Sequence, residues 1–258
     1  MSGLWGGGAG LSSIGVMTRV WPACAALGAL LLAAAPATAQ PLPGGPALRQ
    51  QLGRGMDPAG RAMPNDVVLL DAMAARGDER GLTRRLKPVR DPRILALDIN
   101  WERSRVYRGA GLLVAIAFAE DLWRAAALPD ASPAEADGLR RSAASAALYA
   151  FTLIAMDGLG CGDVSAPSHR GGAVASQLRP ILRYAATLPE ADRGSVIGEA
   201  VTFESVTAPS RTPDPLVCSA DASRTPSFLP QAQWRLARDR RRAQLPGFLT
   251  GLLASGGK

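Results

Sequence analysis

Three observations predict an all-α fold. Apolar residues recur at helical spacing in nearly every segment after residue 65, two strongly apolar stretches lie at 109–119 and 143–156, and no run alternates in the way a sheet requires. The expected architecture is one helical domain over 65–258, a bundle of about six to eight helices around a central apolar antiparallel helix hairpin, with one long Pro-rich loop. No internal repeat interrupts that reading.

The first 39 residues belong to a different category. Arg19 is followed by an apolar run ending at Ala35, then by Pro36 and the small-residue site Ala37-Thr38-Ala39. A positive start, a short apolar middle and an A-x-A end define a secretory signal peptide, with cleavage expected after Ala39. Residues 1–16 carry no charge, so Met17 is the better start for such a peptide. Residues 40–64 read as a flexible leader rich in Pro, Gly and Arg, without sustained periodicity.

The helices follow in order. Asn65 or Asp66 caps a first helix carrying Val67, Leu70 and Met73, which Gly77 ends. A short helix is expected around 82–86, then a turn at Pro88. Asp91-Pro92 opens a long segment through Tyr107, with Ile94, Leu97, Trp101 and Arg105 or Val106 near one face and a break near Asn100 as the alternative. Residues 109–127 are apolar nearly all round, as a packed central helix requires. Ser132-Pro133-Ala134-Glu135 is a capping box with proline in the first turn, opening a helix to about Met156. Three glycines within 157–163 then force a sharp turn. Further helices are expected over about 172–187, with a kink or early break at Pro180, over 189–206, and over 230–244, with one short apolar turn in 247–254. Residues 207–228 hold four prolines and no period, so they read as the long loop.

Composition narrows the setting. Removing residues 1–39 leaves 219 residues, and because Arg19 is the one charge lost, the net charge falls from +7 to +6. Lys87 and Lys258 are the only lysines, so the basic excess is an arginine habit and reads first as a solvated surface. At about 1.5 Å per residue, the run 143–156 spans about 21 Å, short of a hydrocarbon core about 30 Å thick. No membrane span is therefore expected in the mature chain. Cys24 leaves with the signal, and Cys161 and Cys218 remain as an even pair, expected to form a disulfide in an oxidising compartment.

Few residues point to chemistry. The turn after the fourth helix gathers Asp157, Cys161, Asp163 and the only histidine, His169, which reads as a loop residue. Carboxylates beside an imidazole suit acid–base work or metal binding, but the spacing matches no standard ligand pattern, so no metal and no cofactor are expected. Glu204-Ser205 near a helix end bears a superficial similarity to the catalytic glutamate of lytic transglycosylases; the Gly-Leu-Met-Gln type loop and the downstream Asn and Tyr of that family are missing. Gly-x-Ser-x-Gly, phosphate-loop, His-Glu-x-x-His and Cys-x-x-Cys motifs are absent. Arg235, Arg238, Arg241 and Arg242 beside Trp234 form a candidate patch for an anionic partner, such as an acidic envelope component or an envelope protein. Nucleic acid is excluded by the expected compartment. The sequence thus predicts an exported, soluble, helical protein of the bacterial envelope, periplasmic or secreted, with a binding or scaffolding role. The alternative is a small glycan-cleaving or metal-dependent enzyme using the Asp157–His169 turn or Glu204.

Overall fold

The computed structural model describes residues 65–86, 91–219 and 225–256. The expected signal peptide and leader lie outside them. The described residues form eleven α-helices and no strand, so the fold is all-α with more helices than the sequence suggested. They are α1 Asn65–Ala75, α2 Glu79–Arg85, α3 Pro92–Val106, α4 Leu112–Ala125, α5 Pro133–Asp157, α6 Ala166–Gln177, α7 Arg179–Thr187, α8 Glu190–Thr207, α9 Pro215–Cys218, α10 Gln231–Arg242 and α11 Leu245–Gly256. Single 3₁₀ turns follow α5 at Gly158–Gly160 and α8 at Ala208–Ser210.

Local chemistry explains most boundaries. Asp91 accepts from the Arg93 amide at the head of α3, and Pro92 occupies its first turn. The capping box at α5 is complete, with Ser132 Oγ accepting from the Glu135 amide and Glu135 accepting from the Ser132 amide at 3.0 Å. Gly77 takes φ of +64° in the tight link between α1 and α2, a conformation that costs glycine least.

Helix α5 is the hub. Its alanines at 143, 144, 146, 147 and 150 are all buried, and small side chains let α4 and α8 approach closely along it. Helices α6, α7, α9, α10 and α11 also pack against it. By length and composition the stretch Pro133–Gly160 qualifies as a membrane span, yet 83% of its most apolar window is buried inside the protein. Burial by neighbouring helices makes it a core helix.

Three expectations need correction. The segment 172–187 takes the early break and not the kink, dividing into α6 and α7 at Leu178 ahead of Pro180. The first of these begins at Ala166, so His169 lies in a helix, not a loop. The tail is a full helix, α11, whose Leu245, Leu249 and Leu253 form a buried stripe at a spacing of four. Helix α3 runs unbroken through Asn100; of its expected face Trp101 and Val106 are buried but Ile94 and Leu97 only half-buried, and Leu95, Asp98 and Glu102 complete the packed side. The sequence reading kept acids off that face, and the fold does not.

The disulfide forms as expected. Cys161 and Cys218 are bonded with their Cα atoms 5.0 Å apart. Gly162 N donates to Ser227 O and Leu229 N to Gly160 O, each at 2.8 Å, so the far end of the Pro-rich stretch returns to the same place. The 207–228 segment is thereby tied to the end of α5 at both sides of its middle.

Candidate functional site

The polar residues singled out in the sequence do not converge. Asp157, at the C-terminal end of α5, is buried and accepts from the equally buried Arg211 guanidinium. Burial pushes its carboxyl up to about 7, opposed by the positive charge of Arg211 and reinforced by the negative charge of Asp214. Asp163 instead accepts from the Ser165 amide at 2.9 Å and the Ser165 hydroxyl at 2.7 Å, ordering the turn into α6. His169 is exposed in the first turn of that helix. Glu204 is fully buried on α8, and Arg242 Nε donates to its Oε2 at 2.9 Å. Three carboxylates thus have three separate partners. Among the described residues no group of three or more His, Cys, Asp or Glu side chains is arranged to hold a metal ion.

The basic helix α10 divides between inside and outside. Trp234 is fully buried and its indole N–H donates to Met156 O at 2.8 Å. Arg238 stacks on the Trp234 ring, 4.6 Å from its centroid, and donates to Ala208 O at 2.8 Å. Its own burial lowers the guanidinium pKa, against the supporting charge of Glu204. Arg242 is committed to Glu204 and Asp239, and Arg241 donates to Gln244. Two of the four arginines of the candidate patch therefore hold α10 against α8 and the turn at Ala208–Ser210. Arg235 faces outward, as does the neighbouring Arg240.

A cleft of about 280 Å³ lies elsewhere, where the α1–α2 link meets the end of α3, the start of α4 and the segment around α9. Its apolar wall includes Leu82, Trp101, Val114 and Leu216, and its charged rim consists of Glu79, Arg105, Arg108 and Asp214. The turn between α3 and α4 shapes it. Gly109 has φ of +82°, and a Cβ there would stand 2.6 Å from Ser210 Oγ. Gly111 begins α4 without a capping side chain of its own, and Asp214 Oδ2, 102 residues away, accepts from the Leu112 amide. A Cβ on Gly111 would collide with that same oxygen. Asp214 Oδ1 also accepts from the Leu216 amide at 2.8 Å, heading α9. The disulfide holds Asp214 within this arrangement from four residues downstream.

The charges on the rim are unequal in their commitments. Arg105 pairs with Asp71 and lies 5.5 Å from the Trp101 ring centroid, while Trp101 Nε1 donates to Asp71 at 2.7 Å. Arg170 supports the cleft from behind, donating to Leu216 O at 2.8 Å and Ser219 O at 3.1 Å. By contrast, the carboxylate of Glu79 and the guanidinium of Arg108 make no side-chain hydrogen bond or ion pair among the described residues. Burial, then the charge of Asp214, raises the Glu79 carboxyl above its ordinary range, with Arg170 opposing. Glu79 is half-buried and Arg108 exposed, so both remain reachable from water.

A second polar feature is closed. Asp98 and Glu102 of α3 and Asp121 of α4 are buried between the two helices, with Arg124 paired to Asp121. Neither oxygen of Glu102 has a hydrogen-bond partner among the described residues. Burial holds its carboxyl well above the usual range, with Asp98 adding to the rise and Arg124 opposing it. Burial thus favours the protonated form of this side chain, which is wedged into the packing.

Sequence reasoning missed the cleft residues for an identifiable reason. Glu79, Arg108 and Asp214 are far apart in the chain and none lies in a motif. The one local signal was Gly109-Ala110-Gly111, two glycines ahead of an apolar helix with no capping side chain, which implies an outside cap and a close approach by another segment. The chain matches no protein-family model, no curated protein and no solved structure at a significant level.

Proposed function

We propose that this chain is an exported, soluble envelope protein that binds a small ligand in the cleft between α1–α2 and the α3–α4 turn. The described helices would act as one single-domain bundle around the α4–α5 hairpin, with mature protein starting at Gln40. One observation carries the binding reading. Among the described residues the cleft leaves a carboxylate and a guanidinium unpaired beside an apolar wall, whereas Asp157 and Glu204 are buried against arginines. Small-molecule sites combine an apolar lining with a few placed polar groups, and about 300 Å³ is the lower end of their size range. Catalysis by Glu204 or Asp157 would need substrate to reach side chains that are 0% and 1% exposed. Export is supported by the signal pattern of residues 1–39 and by a cysteine pair positioned to stay oxidised.

Native mass spectrometry of protein recovered from a bacterial periplasm tests both halves. The expected species starts at Gln40, lacks two hydrogens and retains or exchanges a small ligand. A full-length mass with free thiols would overturn the export reading. Turnover of cell-wall glycan abolished by Glu204→Gln in a folded variant would overturn the binding reading in favour of the enzyme.

A further inference from the structure

The geometry points to a small zwitterion with an apolar body, of free amino-acid or dipeptide size, as the ligand class of the cleft, its ammonium group facing Glu79 and its carboxylate facing Arg108. The inference rests on the binding reading above and deepens it. The two unpaired rim groups carry opposite charge, so neither a purely anionic nor a purely cationic ligand satisfies both. A cavity of about 280 Å³ limits the ligand to few heavy atoms. The half-buried Leu113 and Leu216 of the lining favour an apolar side chain on the ligand.

The neighbouring charges set the polarity. Asp214 lies near enough to Glu79 to raise its proton affinity, and both Asp214 oxygens are already committed to backbone amides. Glu79 is thus the carboxylate available to a ligand, in a place that rewards an added cation. Arg105 is held by Asp71, whereas Arg108 makes no ion pair among the described residues and can meet a carboxylate. Arginine suits that task because its planar fork can donate two parallel hydrogen bonds.

The test is calorimetric titration of the mature, oxidised protein with L-leucine, L-phenylalanine and the dipeptide Leu-Leu, beside N-acetyl-leucine and leucinamide. The first of these blocked forms lacks the ammonium group, and the second lacks the carboxylate. Each blocked form is expected to bind at least about tenfold more weakly than its parent, the value of one charge-assisted hydrogen bond. Glu79→Gln should erase the distinction between leucine and N-acetyl-leucine, and Arg108→Gln the distinction between leucine and leucinamide. Both side chains are solvent-accessible, and thermal melts of the variants verify that they fold. Blocked forms binding as well as their parents would overturn the zwitterion assignment while leaving a ligand cleft in place. Failure of every compound to bind, together with a bare native mass spectrum, would overturn the assignment and the binding reading together.

Discussion

Replacing Arg242 by methionine strips the ion-pair partner from Glu204, a carboxylate with 0% side-chain exposure whose second oxygen already lacks a hydrogen-bond partner. Methionine keeps much of the apolar stem, so the change isolates the charge. Removing one member of a buried pair leaves an uncompensated charge and costs about 3–5 kcal/mol. Arg238 lies close enough to feel Glu204, and Arg242 itself is 31% exposed, so the low end, about 3 kcal/mol, is expected here. In a chain of this size that corresponds to a fall in Tm of about 6–12 °C. Glu204→Gln keeps a hydrogen-bond acceptor for Arg242 and should cost only about 1 kcal/mol. The double variant should resemble Glu204→Gln, giving a coupling energy of about 3 kcal/mol. Urea unfolding of the oxidised protein, followed by circular dichroism, measures all three through the midpoint at constant m. An Arg242→Met variant within about 1 kcal/mol of wild type, or a double variant that is simply additive, refutes the view that Glu204 is a buried structural acid.

Three further outcomes are expected. Asp157 is raised from 3.8 to about 7 in the fold, so its contribution to stability is fully present below about pH 4 and is lost as pH rises towards 7; Asp157→Asn should remove that part of the pH dependence, and an unchanged profile between pH 4 and 7 would contradict the shift. Glu102→Leu should stabilise the protein by about 1–2 kcal/mol at neutral pH by replacing an unpartnered buried acid with an apolar side chain, measured as a raised melting temperature; a destabilised variant would show that Glu102 holds a partner essential to α3–α4 packing. Cys161→Ser with Cys218→Ser should lower stability by about 4 kcal/mol, from the loop entropy of a bridge spanning 57 positions, and should raise hydrogen exchange around α9 and the Leu112 amide; a loss below about 1 kcal/mol would show that the segment is held by its other contacts.

Helix boundaries were largely legible in the sequence because capping is a local interaction. Ser132 and Glu135, Asp91 and Arg93, and Gly77 act within one turn of themselves, so their residue types and spacing suffice. The disulfide was legible for a different reason: with Cys24 assigned to the signal segment, two cysteines remain and only one pairing exists. The errors have physical causes too. The tail 245–256 carries a four-residue leucine spacing that was present but read as too short, and its stability comes from packing on α5, α7 and α8. His169 was read as a loop residue, whereas Pro167 lies in the first turn of a helix that begins at Ala166, a position proline tolerates.

Charge placement was not legible. Arg242 reaches Glu204 across 38 residues, Arg211 reaches Asp157 across 54, and Asp214 caps α4 across 102. A run of arginines looks alike in sequence whether its members face water or a buried carboxylate. The amino-acid order alone therefore determined the all-α class, several helix starts and the cysteine pairing, since each depends on neighbours within a turn or on elimination. Tertiary structure alone decided which acids are buried against arginine, that Asp98 and Glu102 sit on the packed face of α3, and that Glu79 and Arg108 share one cleft. Burial and ionic pairing depend on which distant segments meet, and local spacing does not encode that meeting.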